Sequence, residues 1–154
     1  MAHSSDFSLL PDPPSALAYG DVALRLADVV PPDVSRGFLP YYHFRILTAV
    51  GIDAGHINLR VGDAERVRYV GHVGFMVDPA HRGHGYARQA CLALAPCVRR
   101  FMASALLTCD PDNAASRQTI ERLGARFLDE VAIPPDESPN LKGATAKRRY
   151  LWTP

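Results

Sequence analysis

The 154-residue chain has little of several things that would fix its class quickly. Its three cysteines, Cys91, Cys97 and Cys109, form no CxxC and stand at no metal-ligand spacing from a histidine, so neither a disulfide framework nor a zinc site is expected, and no metal ligands are assigned. A reducing cytoplasmic setting follows as the default. No apolar run approaches the roughly 18 residues of a membrane span, and the opening "MAHSSDFSLLPDPPSA" lacks the charged and apolar regions of a signal peptide. Residues 1–15 read as a loose tail. Net charge is only +1, so the strongly basic footprint of a nucleic-acid binder is missing; any bound anion should be small. Repeats and low-complexity segments are absent too. What is present, 47% hydrophobic and 21% charged residues, suits one compact domain over 16–154.

The hydrophobic pattern is mostly of period two. "DVALRLADVV" (21–30) alternates Val22, Leu24 and Leu26 with polar residues, and "PPDVSRGF" (31–38) interrupts it. "YYHFRILTAV" (41–50) and "GHINLRV" (55–61) read as a hairpin around "GIDAG". "RVRYVGHVGFMV" (66–77) reads as one longer strand in which Gly71 and Gly74 mark a bulge or a close backbone approach. The period then changes: Ala87, Cys91, Leu94, Val98 and Phe101 fall on one helical face, with a kink expected at Pro96. "SALLTCD" (104–110) is a short buried strand. A second helix spans 112–124, with Asp112 or Asn113 as N-cap and Gly124 as its stop. "ARFLDEVAI" and "AKRRYLW" form a last strand pair.

Between the long strand and the first helix lies "VDPAHRGHGYARQA" (77–90), a glycine-bearing basic turn. A helix start exposes free N–H groups and the positive end of its dipole, and glycine lets an anion approach the backbone, so a phosphate is the natural guest. A P-loop would need GxxxxGK[ST], which is missing. A dinucleotide fold would need GxGxxG near its first strand, but Arg88 stands where the third glycine belongs. What remains is RxxGxA: Arg82, Gly85 and Ala87.

This pattern after "VDP" resembles the coenzyme A motif of the GCN5-related N-acetyltransferase (GNAT) superfamily, [QR]xxGx[GA]. "LLTCDPDNAASRQTIERLGARF" (106–127) resembles that superfamily's next strand-helix block. "GHINLR" and "KRRYLW" are most similar to a bacterial branch of predicted acetyltransferases. The resemblance implies an α+β fold: a central, twisted, mostly antiparallel sheet of about seven strands, a parallel strand pair at the cofactor split, and flanking helices. It implies acetyl-CoA as co-substrate, with pantetheine on the Phe75 and Val77 backbone, the amides of 83–88 around the pyrophosphate, and an oxyanion held by a backbone N–H near Met76. The cofactor-binding set is Phe75, Met76, Val77, Arg82, Gly83, His84, Gly85, Tyr86, Ala87, Arg88, Asn113 and Ser116.

Two residues that many members of the superfamily use are replaced. Thr108 stands at the usual glutamate base and Ile120 at the usual tyrosine acid. Ser116 resembles the serine of the ribosomal-protein N-terminal acetyltransferases, whose hydroxyl hydrogen-bonds the leaving thiolate, and His72 is a candidate base acting through water. Segments 31–45, with Tyr41, Tyr42 and His43, and 134–143, with Asp136 and Glu137, should wall the acceptor pocket. The implied activity is direct acetyl transfer to a small-molecule or peptide primary amine by a monomer or homodimer. The alternative is a non-catalytic acyl-CoA sensor or scaffold.

Overall fold

The computed structural model describes residues 10–154; the first nine residues of the expected tail lie outside the described residues. Residues 10–12 are fastened down: Leu10 packs on the core, the Tyr42 hydroxyl donates to the Pro11 carbonyl, and Arg100 Nη1 donates to the Asp12 carbonyl at 2.8 Å.

Among the described residues, eight strands fall into two sheets. β1 (Leu17–Tyr19), β2 (Val22–Val30), β3 (Tyr41–Thr48), β4 (Asp53–Arg60) and β5 (Val73–Val77) form an antiparallel sheet in chain order. β6 (Ala105–Cys109), β7 (Arg126–Ala132) and β8 (Ala146–Trp152) form a second, with β8 in the middle. α1 (Tyr86–Arg99) connects β5 of the first sheet to β6 of the second, and α2 (Ala114–Arg122) connects β6 to β7. This is the α+β GNAT arrangement, with one short strand more than expected.

The alternation in β3 and β4 sets the layers. Tyr42, Phe44, Ile46, Ile57 and Leu59 are fully buried on one face, where Cys91, Leu94 and Val98 of α1 meet them as the 3–4 spacing requires. Ala105, Leu107 and Cys109 of β6 and Tyr150 and Trp152 of β8 extend the same core, which Ile120 of α2 completes. Burial pushes the Cys91 thiol up to about 12 and the Cys97 thiol to about 11, and raises that of Cys109. α1 runs through the exposed Pro96 to Arg99.

The longest expected strand is only half a strand. Residues 64–67 form a 3₁₀ turn, and the chain reverses through Gly71 (φ 77°) before β5 begins. A Cβ on Gly71 would lie 2.7 Å from the Leu106 carbonyl oxygen, so the close approach read from this glycine is real. No bulge interrupts the β4–β5 register. Gly71→Ala combines a left-handed backbone with that overlap; its stability in urea should fall by about 2 kcal/mol or more, and an unchanged midpoint would mean that the approach is not tight.

Candidate active site at the sheet split

Among the described residues, the backbone hydrogen bonding that links the two sheets is at His72 and Leu106. His72 N–H donates to the Leu106 carbonyl at 2.7 Å, and Leu106 N–H donates to His72 Nδ1 at 2.9 Å. An Nδ1 that accepts leaves the proton on Nε2, which donates to the Gly62 carbonyl at 3.0 Å. Past this junction β5 and β6 share no ladder. The result is a split that starts at His72 and widens into an unpaired edge on β5.

The phase of the β4–β5 ladder shows what that edge presents. Arg60 N–H bonds to the His72 carbonyl at one end and Asp78 N–H to the Ala54 carbonyl at the other, at 2.7 and 2.8 Å. With the register His56↔Met76 and Asn58↔Gly74, antiparallel alternation turns the backbone groups of Gly74 and Met76 to β4. Those of Val73, Phe75 and Val77 therefore face the split. This corrects one expectation: the Met76 N–H is committed to the ladder, and the amides open to a ligand are those of Phe75 and Val77. The Val77 carbonyl already accepts Arg82 Nε–H at 2.9 Å, so the Arg82 side chain folds back on the edge.

The edge leads to the start of α1. Gly83 (φ 88°) and Gly85 (φ 75°) both hold conformations that L side chains avoid. A Cβ on Gly83 would meet nothing within 4 Å, so packing inside the protein does not call for the glycine there. No side chain caps α1 and no acid lies in its first turn, whereas Asn113 Oδ1 caps α2 by accepting Ser116 N–H at 3.1 Å. One helix start is thus satisfied and the other is left open to an anion. Around it, exposed His84 stacks against Tyr86 with ring centroids 5.3 Å apart, and Ala87 is half-buried. Arg88 turns away, its Nε donating to the Arg122 carbonyl at 3.5 Å. Gln89 ties the helix to the first hairpin by accepting Asp21 N–H at 2.7 Å.

On the other side of the split, Ser116 is half-buried in the first turn of α2, with no partner for its hydroxyl among the described residues. Ile120, one turn on, is core at 1% exposure, so a tyrosine there would overfill the interior. Thr108 donates to the Tyr69 carbonyl at 2.8 Å and takes no part in the split. A hollow of about 370 Å³ opens between Asp110–Asp112 after β6 and Lys142–Ala146 before β8. Asp110 in it pairs with Lys147 at 2.7 Å. Of the expected pocket aromatics, Tyr42 is core while Tyr41 and His43 lie on the opposite face of the sheet. Glu137 is held by Arg68 at 3.4 Å.

His72 does not fit the role of base. It is 4% exposed, and both ring nitrogens are spent on Leu106 and Gly62. The position missed in the sequence is His56, half-buried beside Met76, which the alternation of "GHINLR" places on the face away from α1. No group of three or more His, Cys, Asp or Glu side chains among the described residues is arranged to hold a metal ion. No helix among them is long and apolar enough to cross a membrane.

Burial lowers the His72 pKa from its ordinary 6.5, with Arg60 adding to the effect and the Gly62 bond opposing it. As pH falls below 6.5 the unfolded chain therefore binds this proton first, and stability present above pH 6.5 is lost as pH drops towards the depressed folded value. His56 acts in the same sense. Urea midpoints should be flat from pH 8 to 7 and fall between pH 6.5 and 5. His72→Gln should be less stable at pH 7.5 by about 2 kcal/mol, from the lost bonds, and show a shallower acid slope. An equal slope in the variant would count against this account.

Comparison with known proteins agrees with this geometry. Residues 25–126 match the family model described as an acetyltransferase (GNAT) domain. No curated protein sequence matches the chain. Among solved structures, RimL, a ribosomal L7/L12 alpha-N-protein acetyltransferase, superposes with a TM-score of 0.65 at 15% identity over 96% of this chain and 100% of that one. The Salmonella typhimurium acetyl transferase that modifies the N-terminal serine of L7/L12 gives 0.56 at 16% identity, covering 78% and 66%. Mycobacterium smegmatis RimJ in complex with CoA-disulfide gives 0.56 at 20%, covering 73% and 53%. The chain belongs to the GNAT acetyltransferase family, and its reaction class is acetyl transfer from acetyl-CoA.

Proposed function

We propose that the protein transfers the acetyl group of acetyl-CoA directly to a primary amine, with a preference for weakly basic amines. The observation that carries this reading is the continuity of an unpaired strand edge with an uncapped, glycine-bearing helix start. The free groups of Phe75 and Val77 suit the amides of pantetheine, in the manner of an added strand. The amides from Gly83 to Arg88 suit the pyrophosphate, with Arg82 and His84 adding charge at the rim. Arg82 must share or release the Val77 carbonyl when this happens. The co-substrate supplies an acyl group already activated as a thioester.

The protein's own contribution is then positioning and charge. The Phe75 amide points into the split, where it can stabilise negative charge developing on the acyl oxygen. The Ser116 hydroxyl, which has no partner among the described residues, would hydrogen-bond the departing thiolate, and Asn113 fixes the turn that carries it. A thiol with a pKa of about 8.5 leaves readily enough that this donor assists rather than decides. Thr108 replaces the glutamate that many members of the superfamily use as base, which favours acceptors that are already neutral. A lysine-like amine of pKa about 10.4 is roughly one part in a thousand neutral near pH 7.4, and an α-amine of about 7.7–8.0 roughly a quarter. The α-amine chemistry in the RimL name supports the same choice. Family membership favours turnover over a purely acyl-CoA-sensing role.

Two measurements test the reading. Coenzyme A and acetyl-CoA should raise the melting temperature, since ligand at 100 times its Kd adds about 2.7 kcal/mol; NAD and ATP should do less, and Gly85→Glu should remove the shift. Acetyl-CoA consumption against amines, amino acids, polyamines and peptides should then show higher kcat/KM for α-amines than for spermidine or lysine side chains at pH 7–8. Ser116→Ala should lower kcat about 10- to 100-fold with little change in coenzyme A affinity. Normal binding by Gly85→Glu would overturn the assignment, and an unchanged kcat in Ser116→Ala would leave the serine a packing residue.

A further inference from the structure

The connection between β2 and β3, residues 31–40, contains a 3₁₀ turn at Val34–Arg36 closed by an isolated Asp33–Phe38 bridge, and no α-helix. α1 packs on the inner face of the five-stranded sheet and α2 against α1 and β6, so the outer face of β3–β5 carries no helix among the described residues. By alternation that face presents Tyr41, His43 and Arg45 from β3, His56, Asn58 and Arg60 from β4, and Met76 from β5.

Among these, His56 has the attributes of a proton acceptor. It is half-buried, and neither ring nitrogen has a hydrogen-bond partner among the described residues. Its ring lies 5.3 Å from that of His43, whose Nδ1 is fixed at 2.6 Å from Asn58 Oδ1. The titratable and charged groups that act on it come from three other elements. His43 and Arg45 lie on β3, Asp78 follows β5, and Lys142 belongs to the loop before β8. Asp53 on its own strand is engaged by Arg45, with two contacts of 2.9 Å. Burial first, then His43 and Arg45, hold the His56 pKa below 6.5 against the opposing pull of Asp78. At neutral pH the ring is therefore uncharged, with a lone pair to offer.

Its place in the register matters as much. His56 pairs with Met76, the residue between Phe75 and Val77, so it stands one strand away from the edge that faces the split. We propose that the amine acceptor enters over the outer face of β3–β5, which no helix covers among the described residues, and that His56, through a bridging water, receives the proton that the amine gives up. This rests on the acetyl-transfer reading above. The amine nitrogen forms the C–N bond to the acyl carbon and the C–S bond breaks. The sulfur keeps the bonding pair and is protonated from solvent, the N–H proton passes to His56, and His56 returns it to solvent. The net change is amine plus thioester to amide plus thiol.

The test begins with a histidine-ring NMR titration of the full chain, with and without saturating acetyl-CoA, following the Gly83 and Gly85 amides in the same samples. The His56 ring should titrate below pH 6.5, and its resonance and midpoint should move when acetyl-CoA is added, together with both glycine amides. With the acceptor found in the panel, kcat/KM should rise with pH through the His56 midpoint. His56→Gln should lower kcat about 100-fold, flatten that limb, regain part of the rate with added imidazole, and keep the thermal shift with coenzyme A. Movement of the glycine amides with a stationary His56 ring would overturn the inference and leave the acetyl-transfer reading standing. So would full kcat with an unchanged acid limb in His56→Gln. If neither the glycines nor His56 respond to acetyl-CoA, the reading itself fails and the inference falls with it.

Discussion

Two hydrogen bonds between His72 and Leu106 are the constraint on which the rest of the structure depends. They join sheets that otherwise have no backbone ladder in common, and they do so in a place closed to water, where a donor or acceptor left unmade is costly. Because the imidazole also donates to Gly62, one side chain ties the turn before β5 to β6. Had the two strands continued as an ordinary ladder, Phe75 and Val77 would have spent their backbone groups on β6. The pairing does not continue beyond this junction, and the edge of β5 stays unpaired.

The features that followed from local periodicity were legible in the sequence. The 3–4 spacing of Cys91, Leu94 and Val98 identified α1 and its buried face, and the alternation in 41–50 and 55–61 identified β3 and β4. Gly83 and Gly85 marked a glycine-bearing turn at the start of α1, and the structure gives both the left-handed backbone that few other residues accept. What failed was tertiary in origin. Residues 66–72 have the composition of a strand, but Gly71 reverses the chain and Thr108 captures the Tyr69 carbonyl from a strand that is remote in sequence. His72 looked available because nothing local shows that both its nitrogens would be taken up by Leu106 and Gly62.

His56 went unnoticed for the opposite reason. Its neighbours in sequence, "GHINLR", have the look of an ordinary hairpin strand, and its significance comes from what is missing above it. A period-two pattern shows which residues share a face but not whether another layer covers that face. Here the brevity of residues 31–40 was the available signal, since so short a connection leaves little chain to form a covering layer.

The burial of the three cysteines bears on how this chain coexists with its own product. Free coenzyme A is a thiol, and its oxidised forms are disulfides that exchange with any accessible protein thiolate. Cys91, Cys97 and Cys109 are at most 4% exposed, with thiol pKa values held above the ordinary range. They therefore offer almost no thiolate at neutral pH and no path to an attacking disulfide. Cys109 ends the very strand that borders the split, and its side chain turns into the core. The native protein is thus resistant to being capped by coenzyme A disulfide.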